Sequence, residues 1–146
     1  MRLTGRAIAL TTALFLGGSG AATAATFTVD STGNSSDSSI GNGVCRTSGG
    51  VCTLRAAIQE ANNTSALDTI LFNVGGGGPQ RISISSSLPT ITRPVIIDGR
   101  SQPGFVDVPL IEIRGSAVGD GLKISGGGST VRGLIVNGFS GDGIFI

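Results

Sequence analysis

Gly119-Asp120-Gly121-Leu122-Lys123-Ile124 returns downstream as Gly141-Asp142-Gly143-Ile144-Phe145-Ile146. The interval from Gly119 to Gly141 decides the fold, because self-similarity at roughly 20 to 50 residues marks stacked structural repeats. Such a repeat has room for short strands separated by turns. The alternation after each Gly-Asp-Gly turn points Leu122 and Ile124 into a core and Lys123 outward. Stacking the second copy on the first sets Ile144 and Ile146 on Leu122 and Ile124, and Phe145 beside Lys123, about 4.8 Å along the axis. The expected class is all-β, a parallel β-solenoid. Asp98-Gly99 lies upstream of Asp120-Gly121 by the same interval, with unmatched flanks.

The surrounding sequence has the same texture. Ile70–Val74, Ile82–Ile84, Val95–Ile97, Ile111–Ile113, Leu122–Ile124, Leu134–Val136 and Ile144–Ile146 are short apolar runs bounded by Gly, Ser, Pro and Asp. A β-sandwich with coincidental turns is the alternative; it usually has longer strands and more strand aromatics. This chain has six Phe, no Tyr and no Trp. Upstream, Thr26–Val29 reads as a strand and 30–43 as a polar loop. Leu54 to about Asn63 reads as the one good helix. Leu54, Ala57, Ile58 and Ala61 make its apolar stripe, Arg55, Gln59, Glu60 and Asn62 take the other faces, and Thr53 is the N-cap. Gly75-Gly76-Gly77-Gly78 reads as a turn, with no Lys-Ser/Thr after it to make a phosphate loop.

The N-terminus reads as a secretory leader, residues 1–24. Arg2 and Arg6 are its basic region, Ala7–Leu16 its apolar region, and Ala22-Thr23-Ala24 its small-residue cleavage pattern. The mature chain is expected to begin at Ala25. The apolar run is too short for a membrane span of about 20 residues. Without the leader the net charge falls from +1 to −1. Export favours pairing of Cys45 with Cys52 across a Gly49-Gly50 turn, since with no His and no further Cys a zinc site lacks ligands. A loop this short stabilises by about 2.5 kcal/mol on the chain-entropy account. Asn34-Ser35-Ser36 and Asn62-Asn63-Thr64 match the glycosylation pattern, which matters only in a eukaryotic secretory route.

Cys52-Thr53-Leu54-Arg55-Ala56-Ala57-Ile58, with Gly41–Cys45 before it and Glu60-Ala61-Asn62 after it, resembles the CSLREA domain. Pro89–Ile91 and Val95–Gly104 look like the segment that follows in that family. Ser129–Asn137 is similar to a rung of a pectate-lyase-type right-handed parallel β-helix. The resemblance covers nearly all of 26–146. It implies a cap over 25–66 built from strand, disulfide loop and helix, then β-helix coils over 67–146. In that arrangement the Leu54/Ala57/Ile58/Ala61 stripe closes the N-terminal end of the solenoid. Thr53 and Ala56 depart from the family's Ser and Glu, so the reciprocal half of the capping box is lost. Because 146 falls inside a strand with no second cap, the sequence is expected to be a C-terminally truncated fragment of a longer exported protein.

Composition narrows function further. The absence of His excludes a Ser-His-Asp triad and a Cys-His pair. Lys123 and nine scattered Arg form no basic patch of the kind that binds nucleic acid. The resemblance leaves two functions. The first is an exported structural or adhesive module, secreted or at a bacterial cell surface, non-catalytic here, with an extracellular glycan or surface ligand as partner. The second is a polysaccharide lyase or glycoside hydrolase on the same fold. Such an enzyme needs convergent acids with Arg or Lys. The raw material is Asp98, Asp120 and Asp142 with Arg100, Arg114 and Lys123. At coil spacing the three Asp would repel unless a cation such as Ca²⁺ bridged them. Asp before Gly is also plain turn chemistry. No other metal, cofactor or catalytic residue is expected. Glu112 and Arg114 are expected to pair on one outward strand face.

Overall fold

The computed structural model describes residues 22–146. The expected leader residues Arg2, Arg6 and Ala7–Leu16 lie outside them. Nine strands and one α-helix make up the fold of the described residues. In chain order they are β1 (Thr26–Val29), α1 (Leu54–Ala61), β2 (Asp68–Phe72), β3 (Gln80–Ile84), β4 (Val95–Asp98), β5 (Ile111–Gly115), β6 (Leu122–Lys123), β7 (Thr130–Arg132), β8 (Leu134–Asn137) and β9 (Ile144–Phe145). Single-turn 3₁₀ segments occupy Val74–Gly76 and Gly99–Ser101.

Every strand pairing is parallel. The strands form sheets of order β1-β2-β4-β7, β3-β5-β8 and β6-β9. Parallel neighbours need crossovers rather than hairpins, so paired strands are separated by excursions through the other sheets. From β4 onward the chain visits the three sheets in a fixed order and then repeats it. The bridge from Ile91 to Ile124 supplies the third-sheet contact of the preceding circuit.

Register stacks like on like. Phe27 pairs with Ile70, Ile70 with Ile97, and Ile97 with Val131. In the second sheet Ile82 pairs with Ile113 and Ile113 with Val136. These rows, with Val29, Phe72, Ile84, Ile111, Leu122 and Ile91, join one buried core. Three-residue runs suffice because alternation turns two of every three side chains inward. The two Gly-Asp-Gly copies are in register: Leu122 pairs with Ile144 and Lys123 with Phe145. Leu122 is buried and Lys123 points out, its ammonium 5.1 Å from the Phe145 ring centre. Ile144, Phe145 and Ile146 are exposed at the edge of this sheet.

The interval between stacked residues is not constant along the chain. Ile70 to Ile97 and Ile97 to Val131 are both longer steps than Leu122 to Ile144. The excess sits in turns such as 99–110. Asp98 therefore aligns with Arg132 rather than with Asp120. Strand β7 carries one apolar residue, Val131, so hydropathy alone passes over it. Strand β2 starts at Asp68 and stops at Phe72, because the backbone leaves the extended region at Asn73, with ψ 59°.

Cys45 and Cys52 form the expected disulfide. Between them Thr47 and Val51 close a tight turn, with Gly50 at φ +82°. Thr53 caps α1, its hydroxyl accepting from the Ala56 N–H at 3.1 Å. The expected stripe of Leu54, Ala57, Ile58 and Ala61 is buried, and α1 packs on β1 and β2. It lies at the β1 end of the stack. The helix ends at Ala61 rather than Asn63. Asn62 is diverted to clasp 90–92, donating to the Thr90 carbonyl and accepting from the Thr92 N–H, both at 2.8 Å.

Glu60, placed among the outward residues by periodicity, is buried instead, at 1% exposure. Its two carboxylate oxygens accept from the N–H groups of Gly41 and Gly43, each at 2.7 Å. The polar loop folds back over α1 and covers that face. Arg55 performs a similar task, donating to the carbonyls of Asn34 and Ser86. Among the described residues no helix is long and apolar enough to cross a membrane.

Candidate functional site

The outward positions of β3, β5 and β8 form the most chemically varied surface. Parallel register puts Arg81 beside Glu112 and Glu112 beside Ile135, then Ser83 beside Arg114 and Arg114 beside Asn137. Arg81 Nε meets Glu112 Oε2 at 2.5 Å, Arg114 Nη1 meets Oε1 at 3.6 Å, and Asn137 Nδ2 donates to Oε1 at 3.0 Å. The expected Glu112–Arg114 pair is thus one arm of a larger cluster. The hydrogen bond from Arg81, then that from Asn137, holds the Glu112 carboxyl below its ordinary range. Pro79, Pro109, Leu110 and Ile135 rim a shallow depression of about 280 Å³ beside it.

Asp98 ends β4 and begins the 3₁₀ turn. Its Oδ1 accepts from the backbone N–H and the Nε of Arg100, both at 3.1 Å. Its Oδ2 accepts from Arg132 Nη2 at 2.7 Å. Partial burial favours the neutral acid, but the bonds from Arg132 and Arg100 outweigh it and hold the carboxyl below its usual range. A carboxylate already claimed by two guanidiniums is a poor ligand for a cation.

That pairing carries a pH prediction. A depressed carboxyl stabilises the fold above its unfolded pKa, about 3.9, and the contribution disappears as pH falls through the folded value. Asp98→Asn lacks this contribution at every pH. Its melting temperature should therefore lie below the parent's at pH 7, and the gap should close as pH falls below about 4. A gap that is constant from pH 7 to pH 3 would show that the pairing contributes nothing.

Asp120 and Asp142 do come together, at the turn before β6 and β9. Asp120 Oδ1 accepts from the Asp142 N–H at 3.0 Å, and the Gly121 N–H donates to the Asp142 carbonyl. Asp120 and Lys123 also line a depression of about 320 Å³ with Ser87, Leu88 and Thr90. Asp98 stands apart with Arg100 and Arg132, so the three Asp do not form one stack. Arg114 belongs to the face of β3, β5 and β8. Among the described residues no group of three or more His, Cys, Asp or Glu is placed to hold a metal ion.

Four further acids are tied into the framework, whereas the side chains of Asp107 and Asp142 are exposed and accept no hydrogen bond from the described residues. Asp30 accepts from the Cys52 N–H, Asp37 from those of Ser39 and Arg46, and Glu60 from those of Gly41 and Gly43. Asp68 accepts from the Ala25 N–H and the Thr64 hydroxyl. Sequence reasoning passed over these four acids as sites of interest. The available signal was an acid near a Gly- and Ser-rich segment whose N–H groups need acceptors.

No family model, curated protein or solved structure matches this chain.

Proposed function

We propose that the chain is a right-handed parallel β-helix, exported, closed at one end by a CSLREA-type cap, and serving as a non-catalytic module for display or adhesion. All-parallel pairing in three sheets, visited in a repeating order, supports the β-helix. Right-handedness follows from the strong bias of parallel crossovers toward that hand. The disulfide and the buried stripe of α1 support the cap, since a stack of strands exposes apolar surface and unpaired edges at its ends.

The observation that carries the functional reading is the employment of the carboxylates. Asp30, Asp37, Glu60, Asp68, Asp98, Glu112 and Asp120 each accept a hydrogen bond within the framework. General acid–base chemistry needs an acid free to trade protons with a substrate, and the two carboxylates left free, Asp107 and Asp142, lie on separate exposed turns. The Arg81/Glu112/Arg114/Asn137 face, bordered by prolines and Ile135, instead offers fixed donors and apolar contact suited to an extracellular glycan.

The test is incubation of the protein with pectate and Ca²⁺, followed by ultraviolet detection of unsaturated products, alongside a glycan-array binding measurement. The expected result is retention of a glycan with no product above the heat-denatured blank. Product formation would establish the lyase alternative. Absence of both binding and product would remove the adhesive reading.

A further inference from the structure

Asp68 opens β2 and is fully buried. Its Oδ2 accepts from the Thr64 hydroxyl at 2.7 Å, and its Oδ1 accepts from the backbone nitrogen of Ala25 at 2.7 Å. Among the described residues no Lys or Arg forms an ion pair with it; those pairs all involve Asp98 or Glu112. A buried carboxylate without a counter-charge is costly. Asp37 and Glu60 meet that cost with two backbone N–H groups each. Asp68 has one, and it belongs to the residue directly after Ala22-Thr23-Ala24.

Exposure changes at the same bond. Ala22, Thr23 and Ala24 are exposed, whereas Ala25 is half-buried and packs on the core. The Ala25 carbonyl is fixed by the Thr69 N–H at 2.9 Å, and Thr26 pairs with Thr69. Ala25 is therefore held in place on its C-terminal side whatever precedes it.

We propose that hydrolysis of the Ala24–Ala25 bond converts this contact into a buried ion pair, so that the new amino terminus locks β1 onto β2. Water adds across the amide. Ala24 keeps the carboxylate, and the proton released goes to the Ala25 nitrogen, which becomes an ammonium. One ammonium proton stays on Asp68 Oδ1. The others reach water on the exposed side of Ala25. A neutral donor becomes a charged one and supplies the buried carboxylate with the counter-charge it lacks. The proposal rests on the export reading, because a leader-cleaving peptidase must make the cut.

The chain suits a direct test. Lys123 is its only lysine, so the cleaved protein has two amines, that of Lys123 and that of Ala25. The full chain with its leader is expressed in an exporting bacterial host and the product's N-terminus is read by mass spectrometry. The product is then treated with a limiting amine-acylating reagent at neutral pH, folded and urea-unfolded. A free α-amine, with pKa about 7.7–8.0, normally reacts before a lysine of pKa about 10.4. The expected product begins at Ala25, and folding slows acylation of its α-amine at least about tenfold, narrowing its lead over Lys123. Asp68→Asn should restore fast α-acylation and leave the Lys123 rate unchanged. Should that variant fail to fold, the folded and unfolded parent still decide. A product that begins at Ala25 with an α-amine as reactive folded as unfolded overturns the lock and leaves export standing. A product cut elsewhere also overturns the lock alone. An uncleaved chain retained in the cell overturns both.

Discussion

Gly99→Ala will destabilise the protein by about 3 kcal/mol, at the upper end of what overpacking costs. Gly99 follows Asp98 at the end of β4 and is buried. A Cβ there would collide with the carbonyl of Gly133 and stand 2.5 Å from Leu134 Cδ2. The carbonyl belongs to the one-residue connection between β7 and β8, and Leu134 is the first residue of β8. The carbonyl is backbone, so no rotamer change relieves the contact; β7 or β8 must move, and the Ile97–Val131 and Ile113–Val136 rows move with it. Gly127→Ala is the control, since a Cβ there meets nothing within 4 Å. It should leave stability within about 0.5 kcal/mol of the parent. Urea unfolding of the two variants measures the contrast. Equal midpoints would mean that the stacked turns are not in tight contact.

Glu60→Ala comes next, at about 3 kcal/mol, from two hydrogen bonds to a charged acceptor at about 1.5 kcal/mol or more each. The loss should be local before it is global. Gly41 and Gly43 lose their anchor, and the loop around Arg46 is left with the Asp37–Gln59 hydrogen bond as its nearer tie to α1. Trypsin should then cut after Arg46 in the variant under conditions that leave the parent intact, seen as two fragments on a reducing gel. Glu60→Gln should fall in between, because one of its two ends is a donor facing a donor. Unchanged proteolysis in both variants would remove Glu60 from the role of loop anchor.

The strands were legible where alternation was clean. Ile82–Ile84, Ile111–Ile113 and the Leu122/Ile144 pair could be read because each has two apolar residues flanking a central one that points out. β7 was not, because Thr130 and Arg132 both point away from the core and leave Val131 as its single apolar signal. The repeat holds at β6 and β9, where the circuit through β7 and β8 is short. It misled at Asp98, because a long turn after β4 shifts the register and no local property of Asp98-Gly99 reveals that shift. The helix stripe was visible from periodicity. The burial of Glu60 was not, because what covers it is the loop around Gly41 and Gly43, and helical periodicity carries no information about loops. The polar clusters were hidden for the same reason. The Arg81–Glu112–Asn137 group exists only once three distant strands are laid side by side.

The all-parallel pairing also bears on the order in which the chain can take shape. β2 needs β1, β4 needs β2, β7 needs β4, and likewise β5 needs β3 and β9 needs β6. Every strand's earlier partner lies nearer the N-terminus, and the disulfide loop and α1 precede all but the first strand. On the proposed export, a chain threading through a membrane pore amino end first meets a finished template at each stage. It never has to wait for a segment still on the other side. Folding can keep pace with translocation, and each strand that docks opposes backsliding into the pore.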